Sequence, residues 1–256
     1  MARVLAVAVA TMAVVGCRAD TRVDVTMSPD GTGTVRVTVV ADADIVAAEP
    51  NLAEELHLDD LTGSGWTVVG PTPTADGGLQ IVLTRPFTDI AEANAVLGHL
   101  SSANGPLKSP AIAVNGAAGD VQWSFTGQLD LSAGLSAFAD QDLVTVAGGP
   151  PWADVVAAKG MTLGDAATMT VAVSLPGHVV PEGDSTVPAG GPLWTARAGD
   201  PAVEMAVRAV ATSPEVLHAR KVEHRYAMWL VLYLLLVGAL VGAWFFLRSR
   251  RRPATR

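Results

Sequence analysis

Cysteine, histidine and lysine are scarce in this 256-residue chain, and each scarcity removes a class of reading. Cys17 is the one cysteine, so no disulfide forms within the chain and no thiolate cluster holds zinc or iron. The five histidines (His57, His99, His178, His218 and His224) are scattered, with no second His or Cys at metal-ligand spacing. Three lysines stand against fourteen arginines, with abundant Ala, Val and Gly, a usage that fits a GC-rich genome. Basic residues are also few where they would matter for nucleic acid. From Arg18 to Arg225, 25 acidic side chains meet 11 basic ones, a net charge of −14 that the whole-chain value of −8 conceals. Phosphate binding needs Lys and Arg, so no nucleic-acid partner is expected. Charge alone would not hold this part flat on anionic lipid either.

Catalytic signatures are equally thin. No Gly-x-Ser-x-Gly elbow, phosphate-binding glycine loop or dinucleotide fingerprint occurs. Asp42-Ala43-Asp44 and Asp140-Gln141-Asp142 have the Asp-x-Asp form used in metal-dependent glycosyl transfer. One closes a predicted strand and the other lies in an irregular stretch, so both read as solvated turn charges. Asp59-Asp60 reads as a helix end. The expectation is a protein that is not an enzyme, with no catalytic residues, no metal and no cofactor.

What the chain does have is two membrane signals. At the start, Arg3 precedes an apolar stretch, residues 4–15, too short to span a bilayer, and Val14-Val15-Gly16-Cys17 closes it. That tetrapeptide resembles the lipobox of bacterial lipoproteins, with Val14 where Leu is usual. The resemblance implies a signal peptide over residues 1–16, removed before Cys17, and a diacylglyceryl group on the Cys17 sulfur. At the far end, an uncharged run of 22 residues opens at Tyr226 and closes at Leu247. As a helix it would be about 33 Å long, enough to cross a membrane. Tyr226 and Trp229 stand at one end and Trp244, Phe245 and Phe246 at the other, as interfacial aromatics do. Arg248, Arg250, Arg251, Arg252 and Arg256 follow with no acidic side chain among them, which places residues 248–256 in the cytoplasm. The expected organisation is an external domain over residues 17–212, a juxtamembrane linker over 213–225 (where His218 and His224 read as solvated) and a single-pass helix over 226–247. Such a domain would be anchored to the membrane at both ends, on its extracytoplasmic face.

Within residues 17–212, periodicity predicts strands over 21–27 and 32–41 around the turn-forming Ser28-Pro29-Asp30-Gly31, then a helix over 51–61. Strands over 65–71 and 79–84 follow, joined through Asp76-Gly77-Gly78. A second helix over 88–100 has Thr88 or Asp89 as cap and Ile90, Ala93, Leu97 and Leu100 inward. Strands over 111–115 and 120–128 form the next hairpin. This β-β-α-β-β-α-β-β order predicts an α+β fold: one antiparallel sheet, curved toward a barrel, covered by two helices. Residues 129–143 read as a helical or looped excursion. Residues 167–175 read as a strand, 177–192 as a loop, and 193–198 with 203–212 as a closing hairpin turned by Gly199-Asp200.

Asp30-Gly31-Thr32-Gly33, Gly65-Trp66, Asp76-Gly77-Gly78, Leu129-Asp130-Leu131, Leu175-Pro176-Gly177 and Leu193-Trp194 follow Gly16-Cys17-Arg18 in the chain. With the basic-flanked terminal helix, this ordered set resembles the LppM lipoproteins of actinobacteria over almost the whole chain. The resemblance implies a sheet-and-helix domain of the cell envelope that handles lipids or glycolipids, with no catalytic motif to carry over. Trp66 and Trp123 are expected in the core, and Trp152, after Gly148-Gly149-Pro150-Pro151, on a rigid loop. Trp194 is the fourth tryptophan of the external domain. Two functional readings follow. One is non-catalytic binding of lipids or glycolipids in a cavity between sheet and helices. The other is an acidic protein-interaction module that organises envelope proteins. A packed interior would favour the second, and an apolar cavity the first.

Overall fold

The computed structural model describes residues 17–56, 58–101, 105–117, 120–138, 153–180 and 191–212. The leader, Asp140-Gln141-Asp142, Trp152, the linker, the run from Tyr226 to Leu247 and the arginine tail lie outside the described residues. Among the described residues, no helix is long and apolar enough to cross a membrane. The chain divides into two compact units, residues 1–115 with 122–210, and residues 116–121 with 211–256; the first carries the whole of the first sheet and the cavity.

Among the described residues, ten strands form two sheets. β1 (Ala19–Met27) and β2 (Gly33–Ala41) make a hairpin in full register, Ala19 opposite Ala41 and Met27 opposite Gly33. Its turn is built as the residue types require: Asp30 accepts from the Thr32 backbone N–H and hydroxyl, and Gly31 takes a positive φ of 87°. β3 (Thr67–Pro73) and β4 (Leu79–Phe87) add to β2. On the other side of β1 lies β7 (Ala167–Ser174), parallel to it, followed by β9 (Leu193–Arg197). The first sheet therefore runs β3-β4-β2-β1-β7-β9. The second runs β5-β6-β10-β8, from β5 (Leu107–Ala117), β6 (Asp120–Leu129), β10 (Val203–Thr212) and β8 (His178–Val180).

Alternation decides the faces of the first sheet. Val23, Val25 and Met27 on β1, Val35 and Val37 on β2, and Met169, Val171 and Val173 on β7 are buried, while Arg22, Thr26 and Arg36 between them are exposed. On the inner side, the rings of Phe125 on β6 and Trp194 on β9 lie 6.1 Å apart and bring the two sheets into contact. Trp66 and Trp123 are buried.

One helix of the described residues exceeds two turns. α4 (Ile90–Leu100) is capped by Asp89, which accepts from the Glu92 N–H at 2.8 Å; Glu92 reaches back to the Thr88 N–H and hydroxyl, each at 2.8 Å. Ala93, Val96 and Leu97 are its buried residues. Asn94 bonds the edge strand β5 like one more strand, donating to the Ile112 carbonyl at 2.9 Å and accepting from the Ile112 N–H at 2.7 Å.

The α+β class stands, but several expectations are corrected. There are two sheets, they do not close into a barrel, and the β1–β7 pair is parallel. The helix expected over 51–61 is instead a run of short pieces: α1 (Ala43–Ala48), α2 (Leu52–Glu55) and α3 (Asp59–Gly63). Leu56, at ψ 102°, has extended backbone and ends α2 after four residues, so no single helix runs from 51 to 61. β9 and β10 do not form a hairpin. After β9, the Gly199 N–H bonds the Leu131 carbonyl, Asp200 closes on Arg197, and Pro201 offers no N–H, so the chain leaves the first sheet and enters the second. β8 occupies part of the expected loop over 177–192, pairing with β10.

Two outcomes test this packing. A Cβ on Gly33 would fall on the Thr26 carbonyl oxygen and 2.5 Å from Cζ of Phe87; Gly33→Ala is expected to cost about 1–3 kcal/mol, read from the urea midpoint. The Glu92 carboxyl is held below its ordinary value by the Thr88 backbone and hydroxyl donors, and Asp30, Asp130 and Asp165 are lowered by Thr32, Ser132 and Thr162. Their stabilisation is present above the unfolded values of about 4 and is lost as pH falls through the lower folded values. The urea midpoint should therefore drop on acidification below about pH 4, and less steeply in Glu92→Gln.

Candidate functional site: an apolar cavity walled by Cys17

The inner face of the first sheet is filled with Val and Met over most of its length, but not at its end. Register places Leu79, Ala41, Ala19 and Ala167 side by side on β4, β2, β1 and β7. Three adjacent alanines leave space that the next row, Ile81, Val39, Thr21 and Met169, only partly recovers. Over this shallow end lies a cavity of about 400 Å³, within the usual size range for small-molecule sites.

Short helices roof it. Ile45 comes from α1, Leu52 from α2 and Leu56 from the residue after it. A 3₁₀ turn, Gly134–Phe138, contributes Leu135 and Phe138; α5 (Ala153–Ala158) contributes Val156, and α6 (Leu163–Ala166) contributes Ala166. Among the described residues, no lining side chain is charged, and the Thr21 hydroxyl and Cys17 thiol are the polar groups of the lining. Phe138 lines the space yet is 40 % exposed, so the cavity opens past it. Leu163, 47 % exposed, lies beside Gly134 of the same turn. The mouth thus carries an apolar rim, a feature that marks contact with an apolar partner more often than ordinary surface.

Cys17 is 2 % exposed and packs with Ile45, Leu135, Val156 and Ala198. Its position is set by its neighbour. The Arg18 N–H donates to Asp42 Oδ2 at 2.8 Å, and the Asp42 N–H donates to the Arg18 carbonyl at 3.0 Å. Oδ1 of the same carboxylate accepts from the Ile45 N–H at 3.0 Å and caps α1. One side chain therefore fixes both the entry of the chain and the start of the roof. Next to Ile45 on α1, Asp44 accepts from Lys159 at 2.7 Å. That hydrogen bond holds Lys159 above its ordinary value, and the Cys17 sulfur adds to the effect.

The other residues singled out by sequence have structural employment here. Asp42 and Asp44 are engaged as cap and ion pair, and Asp59-Asp60 opens α3. His99 and His178 are exposed and apart, while His57, His218 and His224 lie outside the described residues. Among the described residues, no group of three His, Cys, Asp or Glu side chains is placed to hold a metal ion. The Trp123 indole N–H is the one buried side-chain polar atom among them without a hydrogen-bond partner. Sequence reasoning missed the lining residues. The alanines at 19, 41 and 167 become a signal only once the strand register is known.

No family model matches the chain, and no curated protein matches it. Among solved structures, the NMR structure of the folded domain of the Mycobacterium tuberculosis LppM (Rv2171) protein is similar at 16 % identity, with a TM-score of 0.42. The match covers 78 % of this chain and 94 % of that one. At that identity and score it decides neither the fold nor the activity, which rest here on the chain's own geometry.

Asp42→Ala removes the α1 cap and the Arg18 anchor together. It is expected to cost about 1–2 kcal/mol and to speed maleimide labelling of unmodified Cys17 in the folded protein.

Proposed function

We propose that this is a non-catalytic lipid-binding domain of the cell envelope, in which the apolar cavity takes an acyl chain of a lipid or glycolipid. The observation that carries the reading is the cavity itself: about 400 Å³, lined without a charge, with Cys17 in its wall. A hydrocarbon chain fits such a lining because it asks for no hydrogen bonds. Each methylene moved out of water contributes about 0.8 kcal/mol, and the filled void regains the dispersion contacts that an empty one lacks.

Topology gives the cavity its setting. With a diacylglyceryl group on Cys17, the domain follows its lipid with no spacer, since β1 begins at Ala19. The cavity wall would then lie at headgroup level on the extracytoplasmic face, and the run from Tyr226 to Leu247 would return to the same membrane. The exposed rim at Phe138 and Leu163 suits that apposition. The residue-level resemblance to LppM lipoproteins implies the same ligand class.

Native mass spectrometry of the full chain made without its Cys17 lipid, released from detergent after incubation with bacterial membrane lipids, tests the reading. A discrete non-covalent lipid mass is expected, and Ala41→Phe, which fills the alanine row, should lose it while keeping its circular dichroism. A bare mass for both proteins would overturn lipid carriage and leave an acidic protein-interaction module in its place.

A further inference from the structure

We infer that the resident of the cavity is the chain's own lipid: one acyl chain of the diacylglyceryl group on Cys17 folds back between the alanine row and the roof helices. The inference rests on the lipid-binding reading above and names the occupant of that site. Modification forms a carbon–sulfur bond to the glycerol of a phosphatidylglycerol donor and breaks the bond from that carbon to the phosphate oxygen. Phosphoglycerol leaves with the electron pair and the thiol proton goes to solvent, under a separate transferase of the host.

Three observations lead there. The first is the absence of a spacer. Lipid-bearing cysteines on a loose tether could point anywhere, but Arg18 is pinned on both its N–H and its carbonyl by Asp42, and Ala19 is already laddered to Ala41 and Ala167. Second, Cys17 is enclosed by Ile45, Leu135 and Val156, residues that also line the cavity. A substituent on its sulfur meets the cavity as the nearest free space. Third, the donors are in place for the polar part of the lipid. The Lys159 ammonium, with three N–H donors, bonds Asp44 at 2.7 Å, and Asp44 precedes the lining residue Ile45 on α1. The ester carbonyls of a glycerol joined to Cys17 would lie at that level.

Tethering makes the site self-filling. A ligand bound covalently beside its pocket acts at an effective concentration in the millimolar range, which free membrane lipid must displace. With one chain withdrawn, the second chain alone is a marginal anchor, so retention passes to the run from Tyr226 to Leu247. That division of labour gives each of the two membrane signals a separate task.

The test compares the full chain with and without its lipid in phosphatidylcholine vesicles that carry a phosphatidylglycerol with a diazirine at mid-acyl chain. The lipidated wild type, its Cys17 lipid verified by intact mass, is set beside Cys17→Ala. Because Cys17→Ala alters a buried site, wild-type chain made cell-free without the transferase serves as a second unlipidated form. After irradiation, both unlipidated forms are expected to be labelled on peptides holding Ile81 and Leu135, and the lipidated form at least about tenfold less. Equal labelling of all three would overturn self-occupancy and leave the lipid-binding cavity standing. No labelling of these peptides in any form would overturn both. A wild-type mass without lipid on Cys17 would overturn the inference at its premise.

Discussion

The parallel pairing of β1 with β7 joins residues far apart in sequence, Ala19 with Ala167 and Val25 with Val173, and the rest of the molecule is arranged around it. Everything from β2 to β6 lies between these partners in the chain, so the pair closes a long loop. Such closure costs entropy before it returns contacts. What offsets it is the inner face: the valines of β1, β2 and β7 become one continuous buried layer only when β7 arrives. It also builds the site. Ala167 completes the row begun by Ala41 and Ala19, and the segment just before β7 supplies α5 and α6 as roof. Fold and cavity therefore depend on the same pairing.

The extent to which this was legible in the sequence follows from the range of the interactions. Local chemistry read well. Ser28-Pro29-Asp30-Gly31 could only turn, the hydrophobic alternation of β1, β2 and β7 could only face one side, and Asp89 with Glu92 marked the start of α4. Pairings across distance did not read. Val203–Thr212 alternates as cleanly beside β9 as it does between β6 and β8, and nothing in its own residues chooses. The cavity was hidden for the same reason. Each alanine is unremarkable in its own strand, and emptiness arises only from register, which no periodicity within one strand encodes. Cys17 was legible as a candidate lipid site, but not as a wall of that space.

Asp42 shows how one side chain can bear on both. Sequence suggested a solvated carboxylate of an Asp-x-Asp pair. In the fold it closes β2, starts α1 and holds Arg18. Its partner Asp44 turns to Lys159, on the residue run that leads to β7. The two acidic residues thus connect the N-terminal hairpin with the elements that come more than a hundred residues later.

The burial of Cys17 also sets an order of events in time. A residue 2 % exposed is out of reach of any enzyme once the sheet has closed. On the lipoprotein reading, transferase and signal peptidase must act while β1 is still open, before α5, α6 and β7 have arrived. The late position of β7 in the chain supplies that interval: during export, the first strand waits for the seventh. Lipidation and folding then run as competitors for the same strand, and a chain that closes too early would be sealed in its unprocessed form.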